Sequence, residues 1–410
     1  MKILLLQSYF YPENTADLHL DCDRCEAFAR EGITMECYTP LPVRGVPEKV
    51  RKEYRKRRYE YMYEGSLKIH RFWMMKENHN SFLRAIRYLL SCIIHFYYGI
   101  RSKSCDIMLI VSTPPIQGAM AAIVKKIRKI PLVYNLQDVF PDSLVASGLA
   151  SKGGLLWKIG RKIEDFTYKN SDIIIVVSQD IKQNILKKGV PEYKIRLIYN
   201  WVDSNRIYPI QKKNNPLFFK FNLDTNKFYV VYAGNLGLSQ NINILLEAAQ
   251  KLQSNNNIVF LLFGSGGIEE NIKSEIHRLN ISNLKLFPLQ PYELVPYVYS
   301  IGDVCIVSCK KGLGGSAMPS KTWTIMSSGR PVIANFDEGE LKTIIEDNKC
   351  GLFTHSEDLD ELVDAVTYMY NNPKLCIEFG ANARNFIVNN LSKDLCTSQY
   401  IEVLNNLTHK

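Results

Sequence analysis

The sequence predicts an α/β protein of two doubly wound, Rossmann-like domains facing each other across a cleft. Three observations carry that prediction. Short apolar runs alternate with helix-period segments along most of the chain, which is the pattern of crossovers between parallel strands. The pattern breaks over residues 199–216 (YNWVDSNRIYPIQKKNNP), where Asn, Asp, Pro and charge mark a junction between domains. At 410 residues, 46% of them hydrophobic, the chain has material for two cores and no mark of disorder.

The elements follow in order. Residues 3–6, 35–38, 69–72, 107–111, 131–134 and 173–177 are apolar runs of strand length. Between them, residues 18–30, 82–100, 116–128, 155–168 and 179–187 carry helical periodicity. Past the junction, residues 228–232, 258–263, 284–287, 304–308 and 332–334 read as strands, alternating with helices that include 241–252, 268–279 and 320–326. The expected division is 1–203 for the first domain and 204–385 for the second. A last helix, 386–410, is expected to pack back toward the first domain. In open sheets of this type ligands bind beyond the C-terminal ends of the strands.

Several classes are excluded by composition. The four apolar residues before Gln7 are too few for a signal-peptide core, and the uncharged run between Arg87 and Arg101 falls short of the ~20 apolar residues of a spanning helix. The expectation is a cytoplasmic protein. Ten scattered cysteines have neither disulfide-scaffold density nor a second pair to complete Cys22-x-x-Cys25, so no metal site is predicted.

Charge is unevenly shared. Residues 1–198 carry 32 Lys and Arg against 20 Asp and Glu, and residues 199–410 carry 19 against 21. Much of the excess lies in residues 49–63 (KVRKEYRKRRYEYMY) and 125–129 (KKIRK). Lys49, Arg51, Lys52, Arg55, Arg57 and Arg58 are candidates to meet an anionic membrane surface or a lipid pyrophosphate. No recognition motif accompanies the charge, so nucleic acid is not predicted. A solvated basic loop is the plain alternative. In residues 82–100, Leu83, Ile86, Leu90, Ile93, Ile94 and Tyr97 recur at helical spacing, flanked by Arg84, Arg87 and Arg101. Such a helix lies in a membrane interface or in the domain core.

The second half carries the chemistry-bearing motifs. The strand FYVVYAG runs into GNLGLSQ, so Gly234, Asn235 and Gly237 bracket a strand-to-helix turn whose amides suit a pyrophosphate. FGSGG repeats the arrangement with Gly264 and Gly266. In residues 310–334 a Gly-rich loop leads to a helix with Ser320 as N-cap and Gly329 as its stop. There the amides of Gly315, Ser316 and Ala317, with the Lys321 ammonium, are placed to hold a departing diphosphate.

These strings, with YFYPEN (9–14), VSTPPIQGAMAA (111–122), LQDVFPDSLVASG (136–148), IYNWVD (198–203) and PSKTWTIMSSGRPVIA (319–334), resemble the GT-B glycosyltransferases of retaining family 4 over nearly the whole chain. The resemblance is greatest to the bacterial branch that transfers N-acetylated deoxyhexosamines, such as N-acetyl-L-fucosamine, in O-antigen and capsule assembly. It implies a metal-independent transferase with no cofactor, a UDP-sugar co-substrate as donor, and a polyprenyl-diphosphate-linked saccharide as acceptor at the inner face of the plasma membrane. Ser316 and Thr324 stand where many members have Glu, Asn235 and Gln240 where many have Arg and Lys, and Gln137 where His is frequent. Asp138 and Glu13 are the candidates to orient sugar or acceptor hydroxyl, and Lys321 to stabilise the leaving group. The competing readings are a non-hydrolysing UDP-sugar epimerase, which needs no acceptor, and a silent sugar-nucleotide-binding subunit.

Overall fold

In the computed structural model, which describes residues 1–13, 18–76, 81–146, 150–314 and 318–408, the chain divides into two compact units. One comprises Met1–Asn200 with Asp394–Lys410, the other Trp201–Lys393.

The first unit holds strands β1 (Lys2–Leu6), β2 (Thr34–Pro40), β3 (Tyr59–Met62), β4 (Leu67–Phe72), β5 (Ile107–Val111), β6 (Leu132–Leu136), β7 (Ile173–Val176) and β8 (Ile195–Leu197). They form one sheet in the order β3-β4-β2-β1-β5-β6-β7-β8, parallel except for the edge strand β3. The inner strands are apolar throughout because helices cover both faces; Leu4, Leu6, Met108, Ile110, Val176 and Ala121 all belong to one buried cluster. The terminal helix Lys393–Thr408 completes this unit, where the Arg24 guanidinium lies 5.2 Å from the centre of the buried Tyr400 ring.

The second unit holds β9 (Phe228–Asn235), β10 (Ile258–Ser265), β11 (Leu284–Phe287), β12 (Val304–Ser308), β13 (Val332–Phe336) and β14 (Gly351–His355), all parallel, in the order β11-β10-β9-β12-β13-β14. Counted within the unit, this is 3-2-1-4-5-6, the doubly wound order whose switch point lies between the first and fourth strands, here β9 and β12. The same reversal occurs between β1 and β5 in the first unit. The α/β, doubly wound, two-domain class expected from the sequence is the class observed.

Three differences refine the expectation. The basic run is not a loop: Glu48–Lys56 is helical, and β3 follows it. Residues of the expected junction are packed into the second unit, where Trp201, Val202 and Ile207 are buried. Arg384 donates there to the carbonyls of Ile207 and Ser204. The third difference is the helix Ser81–Arg101, which buries polar side chains beside Cys92 while Phe96, Tyr98 and Ile100 pack against the core. Arg87, Ser91 and His95 point inward, and Leu89, Leu90, Ile93 and Tyr97 are exposed. Burial draws His95 down to about 4, so it packs as a neutral ring against the Tyr38 carbonyl at 3.2 Å.

Candidate active site

At the switch point of the second unit, β9 ends in Ala233-Gly234-Asn235 and the helix Lys321–Ser327 follows β12. The Lys321 ammonium donates to the Tyr232 hydroxyl at 2.6 Å and sits 4.2 Å from the centre of its ring. The Tyr232 hydroxyl in turn donates to the Asn235 carbonyl at 2.7 Å. Gly234 adopts φ +144, a conformation side chains rarely adopt, and a Cβ there would lie 2.6 Å from Lys321 Cε. Glycine therefore opens the space that the lysine crosses. Burial lowers the Lys321 pKa to about 8, because no carboxylate offsets the loss of water around the ammonium.

The other glycines do different work. Gly264 pairs with Gly234 across the β9–β10 ladder, and a Cβ on it would meet the Gly234 carbonyl at 2.4 Å. One on Gly266 would meet the Leu236 carbonyl at 2.2 Å. Both are required by close approach of backbone to backbone. Gly237 is unlike them: its φ is −119, and only the side-chain ends of Gln240 and Asn235 lie near its Cβ position. Asn235 Nδ2 donates to Gln240 Oε1 at 3.3 Å, so the two side chains engage each other.

Around the helix Lys321–Ser327, Ser320 occupies the N-cap position in a helical conformation and makes no capping bond from its side chain, contrary to expectation. Ser320 is exposed. Gly329 ends the segment as expected, with φ +64. Thr324 is half-buried one helical turn beyond Ser320. Gly315, Ser316 and Ala317 lie outside the described residues.

In the first unit, Glu13 is buried, and its carboxylate accepts the backbone N–H of Phe10 at 3.1 Å, Val43 at 2.9 Å and Arg44 at 3.1 Å. It ties the segment after β1 to the segment after β2. Burial raises its pKa against the opposing pull of those amides. Its oxygens are thus engaged by the rim itself. Asp138, just beyond β6, is exposed as a residue; its carboxyl accepts from Ser143 and from the Val139 N–H, which steadies the short helix Asp142–Ala146. Lys49, Lys52, Arg55, Arg57 and Arg58 are exposed along or just after the helix Glu48–Lys56. Arg51 is the exception, buried and donating to the Met74 carbonyl at 3.2 Å; a buried guanidinium cannot face a membrane.

Sequence reasoning missed Tyr232. Period-2 alternation puts it on the same side of β9 as Gly234, but a tyrosine in an apolar strand carries no mark of function.

Two family models match the chain: Glycosyltransferase Family 4 over residues 23–206 and Glycosyl transferases group 1 over residues 213–386. With the fold, they define a GT-B glycosyltransferase. Among its relatives, the chain is 25% identical to WcaI of Escherichia coli K12, named for colanic acid biosynthesis, over 80% of this chain and 82% of that one. It is 24% identical to WbjE of Pseudomonas aeruginosa, named a probable glycosyltransferase, spanning 61% of this chain and 62% of that relative's length. HepE of Anabaena, solved in complex with UDP, superposes with a TM-score of 0.73 at 15% identity, covering 99% of this chain and all of that one (100%).

Proposed function

We propose that this glycosyltransferase moves an N-acetylated hexosamine or deoxyhexosamine, with UDP-N-acetyl-L-fucosamine or a close relative as donor, onto a lipid-linked saccharide in bacterial surface polysaccharide assembly. Transfer proceeds with retention and without a metal. The observation that carries the reading is the Lys321 ammonium, held by Tyr232 over a glycine at the switch point of the second unit. A diphosphate leaving group takes most of the charge that develops in such a transfer, and a cation in a partly dry site stabilises it far more than one in water. Asn235, Ser320 and Thr324 supply neutral donors on the same rim. The chain also resembles HepE, which has been solved with UDP. Asp138 orients the acceptor hydroxyl or the sugar, and the departing diphosphate oxygen takes the acceptor proton.

Membrane association is part of the same reading. The helix Ser81–Arg101 packs against Ile116–Arg128, which packs against Leu155–Asn170. All three expose apolar side chains: Leu89, Ile93 and Tyr97 on the first, Ile123 and Ile127 on the second, Leu155, Leu156 and Ile159 on the third. Arg101, Lys126, Lys129 and Lys158 on or beside these helices match anionic lipid. No helix among the described residues is long and apolar enough to cross a bilayer. Release of UDP that requires donor and acceptor together tests the transferase; conversion of the UDP-sugar into an isomer without net UDP release points to the epimerase, and neither change to a silent subunit.

A further inference from the structure

The first unit buries two arginines, Arg51 and Arg87, that form no direct ion pair with a carboxylate among the described residues. Consecutive backbone carbonyls beyond β4 hold both: Arg51 Nη2 donates to Met74 at 3.2 Å, and Arg87 Nε to Met75 at 3.3 Å. Arg51 is 4% exposed and Arg87 1%. Arg87 Nη1 also reaches the Tyr9 hydroxyl at 3.2 Å, while Arg87 Nη2 and Arg51 Nε have no hydrogen-bond partner among the described residues. The charges that act on Arg51 are those of Glu48, Arg55, Arg87 and Glu13. Both carboxylates act on Arg51 at a distance, as Glu13 does on Arg87, but neither bonds to either guanidinium. Glu48 pairs with Lys76 at 2.8 Å, and Glu13 is filled by three backbone amides.

Buried guanidinium groups with spare N–H donors and no paired carboxylate are costly to keep. They also form the fork that binds phosphate oxygens in pairs. A third arginine, the exposed Arg44, has its guanidinium 5.6 Å from the centre of the Tyr9 ring, against 5.2 Å for Arg87. All of these residues follow the C-terminal ends of β1, β2 and β4, the rim on which such sheets bind ligands.

We propose that Arg51 and Arg87, with Arg44 at the mouth and Tyr9 between, form an anion site in the first unit that takes the diphosphate of the acceptor. The choice of the acceptor over free phosphate rests on the function proposed above, in which the second unit takes the donor nucleotide.

Direct binding tests this without turnover. Titration calorimetry compares three probes on the full chain: a short-chain prenyl diphosphate N-acetylglucosamine, the matching prenyl glycoside without the diphosphate, and inorganic diphosphate. The first is expected to bind at least about tenfold tighter than the second. Arg44→Ala and Arg87→Gln should each remove most of that preference while UDP affinity, measured alongside, stays unchanged. Arg44 is exposed, so its variant reports even where Arg87→Gln fails to fold. Equal binding of the two prenyl ligands, or a preference that survives both variants, overturns the site. Inorganic diphosphate binding as tightly as the prenyl diphosphate overturns the acceptor as its source. Failure of the transferase reading shows separately, as loss of UDP binding or turnover.

Discussion

Lys321 and Tyr232 form a single unit at the end of β9: the ammonium both donates to the phenol oxygen at 2.6 Å and lies over the ring at 4.2 Å. The phenol is anchored by its own bond to the Asn235 carbonyl. The lysine is therefore positioned before any ligand arrives, which is what electrostatic stabilisation of a leaving group requires.

Lys321→Ala is expected to lower kcat by about a hundredfold with little loss of thermal stability, since it removes a charge and no core packing. Steady-state kinetics with a thermal melt checks this. Turnover within a few-fold of wild type removes Lys321 from the mechanism.

Tyr232→Phe keeps the ring and deletes the hydroxyl that joins Lys321 to the Asn235 carbonyl. It is expected to cost about 1 kcal/mol of stability and about tenfold in kcat, equivalent to about 1.4 kcal/mol in the barrier. A fall in stability without any fall in kcat would make the hydroxyl purely structural.

The depressed Lys321 pKa gives a pH signature. Its charge is fully present well below about 8 and lost as pH rises through that value, so UDP affinity should weaken on the alkaline side. Lys321→Arg keeps its charge across that range and should flatten the profile. Calorimetry between pH 7 and pH 9.5, on the order of one unit either side of the transition, measures both.

Gly234 and Gly237 are separated by their surroundings. Gly234→Ala forces a Cβ into Lys321 and strains φ +144, at an expected cost of about 1–3 kcal/mol and most of the donor affinity. Gly237→Ala meets only movable side-chain ends and should retain donor binding. Equal effects would show that the glycines are needed only as turn formers.

The exposed apolar face makes a membrane prediction. Leu89→Ser, Ile93→Ser and Ile127→Ser combined should reduce sedimentation with anionic vesicles by at least about tenfold, since each side chain contributes roughly 1.5–3 kcal/mol when fully buried. Turnover on a water-soluble acceptor should persist. Unchanged sedimentation assigns the face to another task.

The inner strands and the parallel, doubly wound class were legible in the sequence because buried parallel strands leave continuous apolar runs such as IMLIV and VCIVS, whereas the strand order is set by pairing between distant segments. Strands β3, β8 and β14 were not: all three are edge strands, and Tyr59 and Tyr61 of β3 are exposed inside the most basic stretch of the chain. The helix Ser81–Arg101 was legible from its spacing, which left membrane interface and core both open, and Leu90, Ile93 and Tyr97 of that stripe are exposed. The unit buries Arg87, Ser91 and His95 because β2 and the segment beyond β4 offer carbonyls to Arg87 and His95. Lys321 and Gly234 were readable as types in a motif. That the two share one space, and that Tyr232 and not an acidic residue holds the lysine, is set by the pairing of distant segments.

The most direct test of the central claim is UDP release by the purified protein from a panel of UDP-N-acetylhexosamines and UDP-N-acetyl-deoxyhexosamines, with and without a prenyl-diphosphate-linked saccharide. Release that requires one donor of the panel and the acceptor together is the predicted result. Equal release without acceptor, or none from any donor while UDP still binds, would contradict it.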